Sequence, residues 1–405
     1  MFIIQGKHQS IKMKKLLGIL VLGLLWCNVS NVSFADIKKP KIQNIGIVFP
    51  IIENKKFPCR VSVYLYAPVK PIKEIKAPSG YGLDDAFSDY VYEPLEKLSV
   101  NCSSGDLKAC ESIYKTLLNW SMSDAAKRTG PSDGEGRHWN DTLTVNLYVA
   151  APMITAYSFA IQRMDIPKED DEIIKKWLKK IVKKNQHLMY GKTYDYGGAK
   201  GTPKRAHNHA LSSAMSHMSL AILLGDDKMF KKPFKNWIGA VKYQRKDGSL
   251  PIETRRGGRA MFYQGRAMTA LATIAVMAEN QNINIWNTKF KKNRDYHNIV
   301  KFFIDFAENP EIVFKYAKEM KSPGPAKNYK NQDLNSSGSV WGWMPAYASR
   351  FPNHENIKRI KSWDKVNMNK YQKLMSSALS SVGGTTRDFA ASWNVGAEPN
   401  CHFIK

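Results

Sequence analysis

The sequence has few cysteines, and their spacing is not typical of a metal site. It holds 5 cysteines in 405 residues, with neither a CxxC pair nor a paired Cys/His spacing, which disfavours a zinc-binding fold. Once Cys27 is removed with a leader, four remain, an even number that suits disulfides in an oxidising compartment. Three pairings are open to these four, which are Cys59, Cys102, Cys110 and Cys401.

Long apolar runs are also missing, apart from one near the amino terminus. The run from Leu16 to Trp26 is shorter than the roughly 20 residues that a membrane-spanning helix needs. It follows two lysines and precedes the small-residue sequence NVSFA, which is the layout of a secretory signal peptide. We predict that residues 1–35 are a signal peptide cleaved after Ala35, with Met13 as an alternative start. The protein is then expected to be periplasmic or secreted, without a membrane span.

Acidic residues are scarce relative to basic ones. The chain has 61 Lys and Arg against 35 Asp and Glu, and residues 1–35 hold four of the lysines and no acid, so the remainder has a formal charge of +22. A lysine-rich composition bias explains part of this excess, but a field of this sign attracts polyanions. Outside the cytoplasm, acidic polysaccharides are the expected polyanionic partners, and we do not expect nucleic acid.

The chain shows no low-complexity linker and no 34- or 40-residue repeat, which disfavours two linked domains and a regular solenoid. Residues 36–79 are proline-rich, and we expect an extended arm with one or two short strands there. Residues 80–405 have helical periodicity, and we expect one all-α domain in a monomeric protein. Helical hairpins of similar length can form a bundle, a solenoid or an α/α toroid.

Amphipathic patterns locate the helices of this domain. One apolar stripe includes Ile113 and Leu117, and a second runs from Ile173 to Val182 with six lysines on the opposite face. A charged face opposite an apolar stripe is most often solvated, so we do not assign these lysines to a polyanion site. Further helices are predicted at 143–162, 209–224, 229–244, 260–280, 297–307, 311–321, 339–349 and 364–380.

The first segment that can carry chemistry is a loop rich in glycine, proline and lysine that leads into Asn208 and His209. These two residues stand at the start of an apolar helix, where unpaired N–H groups and partial positive charge can bind a carboxylate. The alternative is that Asn208 is an ordinary N-cap and His209 a surface residue. His207 and His209 also form an HxH pair, but no further ligand is recognisable, so we predict no metal and no cofactor.

The second segment is DGSLPIETRRGGRAMFYQGRA, residues 247–267, which concentrates arginines around one tyrosine. Its DG pair reads as a turn, and a helix is expected to begin around or just after its GG pair. In a helical register Arg256, Arg259 and Tyr263 lie near one face, where an arginine can stabilise a tyrosine phenolate. The alternative is that the arginines are solvated charges and Tyr263 is a core residue.

These two segments together carry a resemblance. An NH pair at the head of an apolar helix, followed about forty residues later by DGxLPxExxRxxRAxxYxxxA, resembles the alginate lyase family, the exported poly(β-D-mannuronate) lyases of the α/α-toroid class. The segment GSVWGWMPAYASRF, residues 338–351, is similar to an aromatic segment of that family, and the resemblance covers most of residues 80–350. It implies an incomplete (α/α) toroid of antiparallel helical hairpins.

The sequence departs from the family pattern at two places. The nearest match to the family's lysine-bearing lid motif is SGY at residues 79–81, so we carry over no lid lysine. Tyr263 is followed by Gln264 and Gly265, where the family usually has a polar pair. Both departures bear on the contacts with the substrate chain.

The resemblance implies a polysaccharide lyase that cleaves a 4-linked polyuronate by β-elimination without a cofactor. Asn208, His209 and Arg256 are then expected to neutralise the uronate carboxylate, and Tyr263 to remove the C5 proton and protonate the leaving O4. His209 is a second candidate base, toward the epimeric uronate. We further predict substrate contacts for Arg259, Arg255, Lys204, Trp341 and Tyr347.

Two other functions fit parts of the pattern. A glycoside hydrolase needs two carboxylates across a cleft, and Asp247 and Glu253 are its candidates, although one short turn-like segment is a poor source for both. A non-catalytic protein that binds acidic polysaccharides would explain the charge but would need neither Tyr263 nor His209. Ultraviolet absorbance of an unsaturated product distinguishes the three functions.

Overall fold

The fold is seen in a computed structural model, which describes much of the chain after the predicted signal peptide. The peptide itself, Cys59 and the SGY sequence at 79–81 lie outside the described residues. Among the described residues, every helix is too short or not apolar enough to span a bilayer. The described residues are 37, 39–51, 53, 66–72, 74–75, 93–126, 128–129, 149–184, 186–191, 199–321, 327–334, 338–382, 397 and 399–404.

These residues are mostly helical, which confirms the all-α class. The described part contains one small sheet, in which β1 (Glu74–Ile75) pairs in parallel with β2 (Arg128–Thr129), and β1 lies in the arm where short strands were expected. The helices in chain order are α1 (Glu93–Ser103), α2 (Leu107–Met122), α3 (Ala151–Arg163), α4 (Lys168–Lys184), α5 (Asn208–Leu224), α6 (Asp227–Tyr243), α7 (Ala260–Glu279), α8 (Tyr296–Glu308), α9 (Glu311–Ala317), α10 (Gly338–Trp341), α11 (Trp343–Arg350), α12 (Glu355–Ser362), α13 (Lys370–Ser380) and α14 (Pro399–His402).

Consecutive helices pair as hairpins through short connections, and the hairpins form an incomplete α/α toroid. Helices α1 and α2 pack together across residues 104–106, and α5 and α6 pack together across Gly225 and Asp226. Gly225 has a φ of +68°, a left-handed conformation that glycine adopts without strain, and it ends α5. Asp226 then caps α6, because its side chain accepts a hydrogen bond from the backbone N–H of Met229.

Helices α5 and α7 form the interior of the domain. They pack on each other, α5 also packs on α3 and α6, and α7 also packs on α10 and α11. Nearly every residue of both helices is buried, so neither has the polar face that a surface helix shows. Their first turns, which hold Asn208, His209 and Tyr263, are therefore inside the molecule.

The observed helices differ from the predicted ones mainly at their ends. The helix predicted at 339–349 is two helices, α10 and α11, with Gly342 between them. Helix α13 begins at Lys370 instead of 364, because Asn369 closes its start with a capping box. Residues 143–148 lie outside the described part. In α4, Ile173 is 41% exposed, so the buried stripe begins one residue later, at Ile174.

A disulfide between Cys102 and Cys110 joins the end of α1 to the start of α2, with the two Cα atoms 4.8 Å apart. Cys401 is also disulfide-bonded. The structure thus contains the pairing in which Cys102 joins Cys110. A disulfide in this position agrees with an oxidising compartment.

The arm crosses the carboxyl ends of the inner helices. The backbone N–H of Gly46 donates to the carbonyl of Ile222 in α5 at 2.9 Å, and that of Asn44 donates to Gln281 Oε1, just after α7, at 2.7 Å. The N–H of Val48 donates to a serine of α3 at 3.0 Å. The arm therefore covers one end of the toroid, and the first turns of α5 and α7 lie at the other end.

Candidate active site

The head of α5 is capped by a histidine. Nδ1 of His207 accepts a hydrogen bond from the backbone N–H of His209 at 3.0 Å, so His207 is the N-cap and Asn208 is the first helical residue. The rings of His207 and His209 meet edge to face with centres 5.3 Å apart, and both residues are buried. The alternative that Asn208 is the cap and His209 a surface residue is therefore wrong.

A buried carboxylate, that of Glu253, occupies the anion position at this helix start. Its Oε1 accepts the backbone N–H of Asn208 at 2.7 Å, and its Oε2 accepts from Asn208 Nδ2 at 2.8 Å. Burial raises the pKa of this carboxyl above its ordinary value, and the charge of Arg256 and the two Asn208 donors offset only part of that rise. The position that we expected to bind a substrate carboxylate is thus filled by the protein's own, and an amide has two hydrogens, so Asn208 keeps one for a ligand.

Arg256 connects Glu253 to Tyr263. Its guanidinium NH1 lies 3.5 Å from Glu253 Oε2, and its central carbon lies 3.2 Å from the centre of the Tyr263 ring. Arg256 therefore stacks on the face of the ring, where a guanidinium is attracted by the π-system. In the described part of the chain, no group hydrogen-bonds to the Tyr263 hydroxyl. Asn208, Glu253, Arg256 and Tyr263 form one continuous chain of contacts.

The two histidines beside this chain are neutral at pH 7. Burial, followed by the charge of Arg256, lowers the pKa of His207 to about 3. Burial also lowers the pKa of His209 well below its ordinary value, with further contributions from His207, Arg256 and Arg266. A neutral imidazole beside cations can accept a proton or a hydrogen bond, which an imidazolium cannot.

The turn before α7 requires its glycine. Gly248 has a φ of +89°, and a Cβ there would lie 1.9 Å from the carbonyl oxygen of Asn298, so no other residue fits. Asp247 holds the turn by accepting the N–H of Ser249 at 3.1 Å and the hydroxyl of Tyr316 at 2.6 Å. The turn predicted from the DG pair is present, and it leads the chain back so that Glu253 reaches the head of α5.

Gln264 and Gly265, the departure from the family pattern, fix the backbone around Tyr263. Gln264 Oε1 accepts the backbone N–H of Leu250 at 2.9 Å, which ties the loop to α7. A Cβ on Gly265 would lie 2.5 Å from Val340 Cγ1, so glycine permits the close approach of α10. Both residues have packing roles next to Tyr263.

The other predicted cations lie around the cluster. The side chain of Arg259 is partly exposed, 3.8 Å from Asp333, because the 3-10 turn Gly257–Arg259 interrupts the α-helical register that would have aligned it with Tyr263. Lys204 is exposed in the turn before α5. Arg255 faces Glu319 and borders a separate pocket. Of the arginines predicted to share a face with Tyr263, only Arg256 is seen to contact it.

The two predicted aromatic contacts are buried. Trp341 meets Phe303 edge to face with ring centres 5.5 Å apart. Tyr347 has no exposed surface, and its hydroxyl bonds to His297 Nδ1 at 2.9 Å and to Asn356 Nδ2 at 3.0 Å. Tyr347 is thus a core residue of α11, which does not fit a direct contact with substrate.

The carboxylates required by a glycoside hydrolase are committed elsewhere. Asp247 holds the turn and accepts from Tyr316, and Glu253 is fully buried against Asn208 and Arg256. Neither can flank a sugar as an acid or a base, which removes the basis of the hydrolase hypothesis. No group of three or more His, Cys, Asp and Glu among the described residues is arranged to hold a metal ion.

Sequence reasoning missed the contact that Glu253 makes with the head of α5. The signal that could have found it is an acid in a loop rich in arginine, directly before a helix without a polar face. A charged residue buried in such a place needs partners. The charge of Arg266 also lowers the pKa of His209. Nothing in the sequence around Arg266 indicated this role.

Comparisons with known proteins bear on the family and the fold. A family model described as alginate lyase matches residues 113–313, about half of the chain. An alginate lyase of Pseudomonas syringae pv. tomato is 32% identical over 82 residues, which are 20% of this chain and 22% of that protein. The match thus spans less than a quarter of the curated relative.

Solved structures match over a much larger part of the chain. A histidine-to-alanine variant of alginate lyase A1-III in its apo form has a TM-score of 0.60 at 18% identity and covers 92% of both chains. Alginate lyase A1-III from Sphingomonas species A1 has a TM-score of 0.57 at 21% identity, covering 80% of this chain and 87% of that one. At these identities the likeness concerns the fold.

Proposed function

The chain belongs to the alginate lyase family, and from this premise we propose that it is a polysaccharide lyase that cleaves a 4-linked polyuronate, alginate or polymannuronate, by β-elimination. The matched residues 113–313 include Asn208, His209, Arg256 and Tyr263. Structures of the related A1-III enzyme with a histidine-to-alanine or a tyrosine-to-phenylalanine change are complexed with a tetrasaccharide. In this chain residues 80–405 would be the catalytic domain and residues 36–79 the arm of a monomeric enzyme.

The reaction explains why these residue types are needed together. The C5 proton of a uronate is weakly acidic because C5 lies beside a carboxylate. Its removal places a second negative charge on that carboxylate, which becomes enolate-like. The C4–O4 bond then breaks, a C4=C5 double bond forms, and the leaving O4 takes a proton. Cationic and hydrogen-bonding groups aimed at the carboxylate give the main stabilisation.

Tyr263 is the proposed base and acid. The observation that carries the proposal is the uncommitted Tyr263 hydroxyl on a ring stacked against buried Arg256. A phenolate oxygen in this place accepts the C5 proton and returns it to O4 when both lie on the same face of the sugar. The stacked guanidinium is attracted to the face of the ring and keeps its orientation.

Arg256, Asn208 and His209 are the proposed carboxylate partners. Arg256 supplies charge, Asn208 supplies its second amide hydrogen, and neutral His209 supplies a ring nitrogen as donor or as an alternative base. Glu253 orients Asn208 and Arg256 through the contacts described above. Its carboxyl group lies 3.5 Å from the Arg256 guanidinium, which gives that buried cation a partner.

The decisive experiment incubates the purified protein with mannuronan, mixed alginate and glucuronan. Elimination creates a conjugated 4,5-unsaturated uronate that absorbs in the ultraviolet, whereas hydrolysis gives reducing ends without it. We expect absorbance to rise with at least one alginate polymer. Binding without any product would leave the non-catalytic polysaccharide-binding alternative in its place.

We also propose that the protein is exported and acts in the periplasm or outside the cell. The pattern of residues 1–35 and the disulfide between Cys102 and Cys110 support this. Amino-terminal sequencing of the protein recovered from outside the cytoplasm should begin at Asp36. An intact leader on that protein would contradict cleavage after Ala35.

A further inference from the structure

A polar pocket of about 480 Å³ lies beside the loop that carries Arg256. The carboxyl end of α6 forms one wall with Tyr243, the loop forms another with Pro251 and Arg255, and residues 199–202 border the rest. Its volume is in the range of small-molecule sites. The four proposed catalytic residues do not line it, but Arg255 directly precedes Arg256, so the two sites share the loop.

Cations dominate the lining of this pocket, which we call the rim pocket. Lys200, Arg245, Arg255 and Arg294 line it, against a single acid, Glu319. An excess of positive charge in a concave site concentrates field and attracts anions. The charges alone therefore favour an anionic ligand.

Arg294 has a donor group that a ligand can use. Its NH1 donates to the carbonyl of Lys242 at 3.2 Å, which anchors the side chain at the end of α6. Its Nε is buried and has no hydrogen-bond partner in the described part of the chain. Because Nε has no solvent-accessible surface, a ligand in the pocket would meet the terminal nitrogens of the guanidinium, which are charged donors.

Tyr243 gives the rim pocket an aromatic wall. Its side chain is 40% exposed, and Lys242 Nζ lies 5.5 Å from the ring centre. Such a ring offers an apolar face on which the C–H face of a sugar can pack, next to the cations that would take an acidic group. A free inorganic anion would have no use for this wall.

We propose that the rim pocket is a secondary, non-catalytic binding site for an acidic sugar unit. Arg255 and Arg294 bind the carboxylate, and the Tyr243 ring packs against the sugar. This inference rests on the proposed function, since a polyuronate supplies such units. A long polymer can occupy the rim pocket and the active site together, whereas a short oligomer reaches only one of them.

The test uses two variants and two matched controls. Tyr243→Ala removes the aromatic wall, and Lys200→Glu reverses one charge of the pocket. Tyr190→Ala is the first control, because Tyr190 is also 40% exposed and also lies near a lysine, with Lys232 Nζ 6.0 Å from its ring centre. Lys176→Glu, on the lysine face of α4, makes the same change in net charge as Lys200→Glu.

Two readouts separate this site from catalysis. On immobilised polyuronate, each pocket variant should elute at a lower salt concentration than its control. In turnover, each should raise KM for a long polymer by about fivefold relative to its control, the equivalent of about 1 kcal/mol. The kcat on the polymer and the KM for a trisaccharide should stay unchanged.

The outcomes are distinct from those of the proposed function. Equal retention and equal KM in pocket variants and controls would overturn the rim-pocket proposal. The sugar assignment also falls if inorganic phosphate stabilises the wild type but not Lys200→Glu against heat, while retention on polyuronate is the same for both. A difference in retention without any unsaturated product would contradict the lyase function and still support the pocket.

Discussion

Two helix heads in this protein use the same cap but stand in different surroundings. At the head of α5, His207 Nδ1 accepts the backbone N–H of His209 at 3.0 Å. At the head of α12, His354 Nδ1 accepts the backbone N–H of Asn356 at 3.1 Å. Each capping histidine packs against a second one, His209 or His297. The local motif is therefore the same at both heads.

The second head packs against the start of α8, where Asn356 Nδ2 donates to the carbonyl of His297 at 3.0 Å. Just before it, Arg350 of α11 forms an ion pair with Glu279, the last residue of α7. His297 and His354 stack with ring centres 4.4 Å apart and border a polar cavity of about 770 Å³. Burial, followed by the charge of His354, lowers the pKa of His297 to about 4. Neutral histidines are thus present at both heads, buried at the head of α5 and half-buried at the head of α12.

What differs is the chemistry that faces the histidines. His297 bonds to the hydroxyl of Tyr347 and to Asn287 Oδ1, so its tyrosine is committed. Near the head of α5, Tyr263 lies on a buried guanidinium, and no described group bonds to its hydroxyl. A depressed histidine pKa beside a cavity is therefore not enough to mark a catalytic site. The uncommitted phenol is the better sign.

The same substitution in the two clusters gives the largest contrast. Tyr263→Phe should lower kcat by at least about a hundredfold, since it removes the proposed proton carrier, and it should change the free energy of unfolding by no more than about 1 kcal/mol. Tyr347→Phe should leave kcat unchanged and lower the free energy of unfolding by about 1–2 kcal/mol, because His297 and Asn356 lose a buried partner.

Steady-state kinetics and denaturant unfolding on both variants check this contrast. Polymer binding by Tyr263→Phe should persist, which separates chemistry from affinity. Near-normal turnover by Tyr263→Phe on the best substrate would end the tyrosine mechanism and make His209 the base to examine. A loss of turnover in Tyr347→Phe would instead place the second cluster in the reaction.

Glu253→Gln tests the buried carboxylate that accepts hydrogen bonds from Asn208 at the head of α5. The amide would face the Asn208 donors with its own N–H groups and leave Arg256 as a buried charge without a counter-charge. We expect kcat/KM to fall at least about tenfold and the free energy of unfolding to fall by about 2–4 kcal/mol. Asp247→Asn, the same change in the same loop, is the control and should affect kcat/KM less. Equal effects would show that Glu253 has no special positioning role.

The second cluster should be visible in the pH dependence of stability. In the unfolded chain His297 binds a proton near its ordinary pKa of 6.5, but in the folded protein only near pH 4. The free energy of unfolding should therefore fall as pH drops from about 6.5 to 4, by roughly 3 kcal/mol from this residue. The charges that act on His297 are those of His354, Asp295 and Lys289.

His297→Gln isolates that contribution. Buried His207 and His217, whose pKa values are also lowered, to about 3 and about 4, keep titrating in the variant. Thermal unfolding between pH 4 and 7 should then show a shallower decline than in the wild type. Parallel curves for the two proteins would mean that His297 is not held neutral by the fold.

The smallest effects are expected when each capping histidine is replaced by asparagine. Asparagine is at least as good an N-cap as histidine, so His354→Asn should change the free energy of unfolding by less than about 0.5 kcal/mol. His207→Asn should likewise keep its helix, but the ring that packs on His209 is lost, and kcat should fall by about threefold or more. If both exchanges leave kcat unchanged, the orientation of His209 does not matter to turnover.

The sequence predicts the helices of this fold better than the contacts within its site. The stripe of α4 follows from periodicity, and the limits of α5 and α7 were predicted within one residue. The contacts of Asn208 and Arg256 could not be predicted from periodicity. They depend on Glu253, 45 residues from Asn208, and such a contact between a loop and a helix head has no periodicity.

The register after the double glycine shows the same limit. A continuous helix would have aligned Arg259 with Tyr263, but the turn Gly257–Arg259 is a 3-10 turn. That turn depends on Gln332, whose amide donates to the carbonyl of Gly257 at 3.1 Å. A residue so distant in sequence cannot be inferred from local pattern, and only the family resemblance pointed to Arg256 in place of its neighbours.

The arm has a consequence for the order in which the protein assembles. The partners of Val48 and Asn44 lie 110 and 237 residues further along the chain. These partners have not yet been synthesised when the arm leaves the ribosome. Early docking is therefore impossible, and the cost of closing such long loops delays the contacts further. We therefore expect the arm to dock after the helices have packed together, so that its contacts are among the last to form.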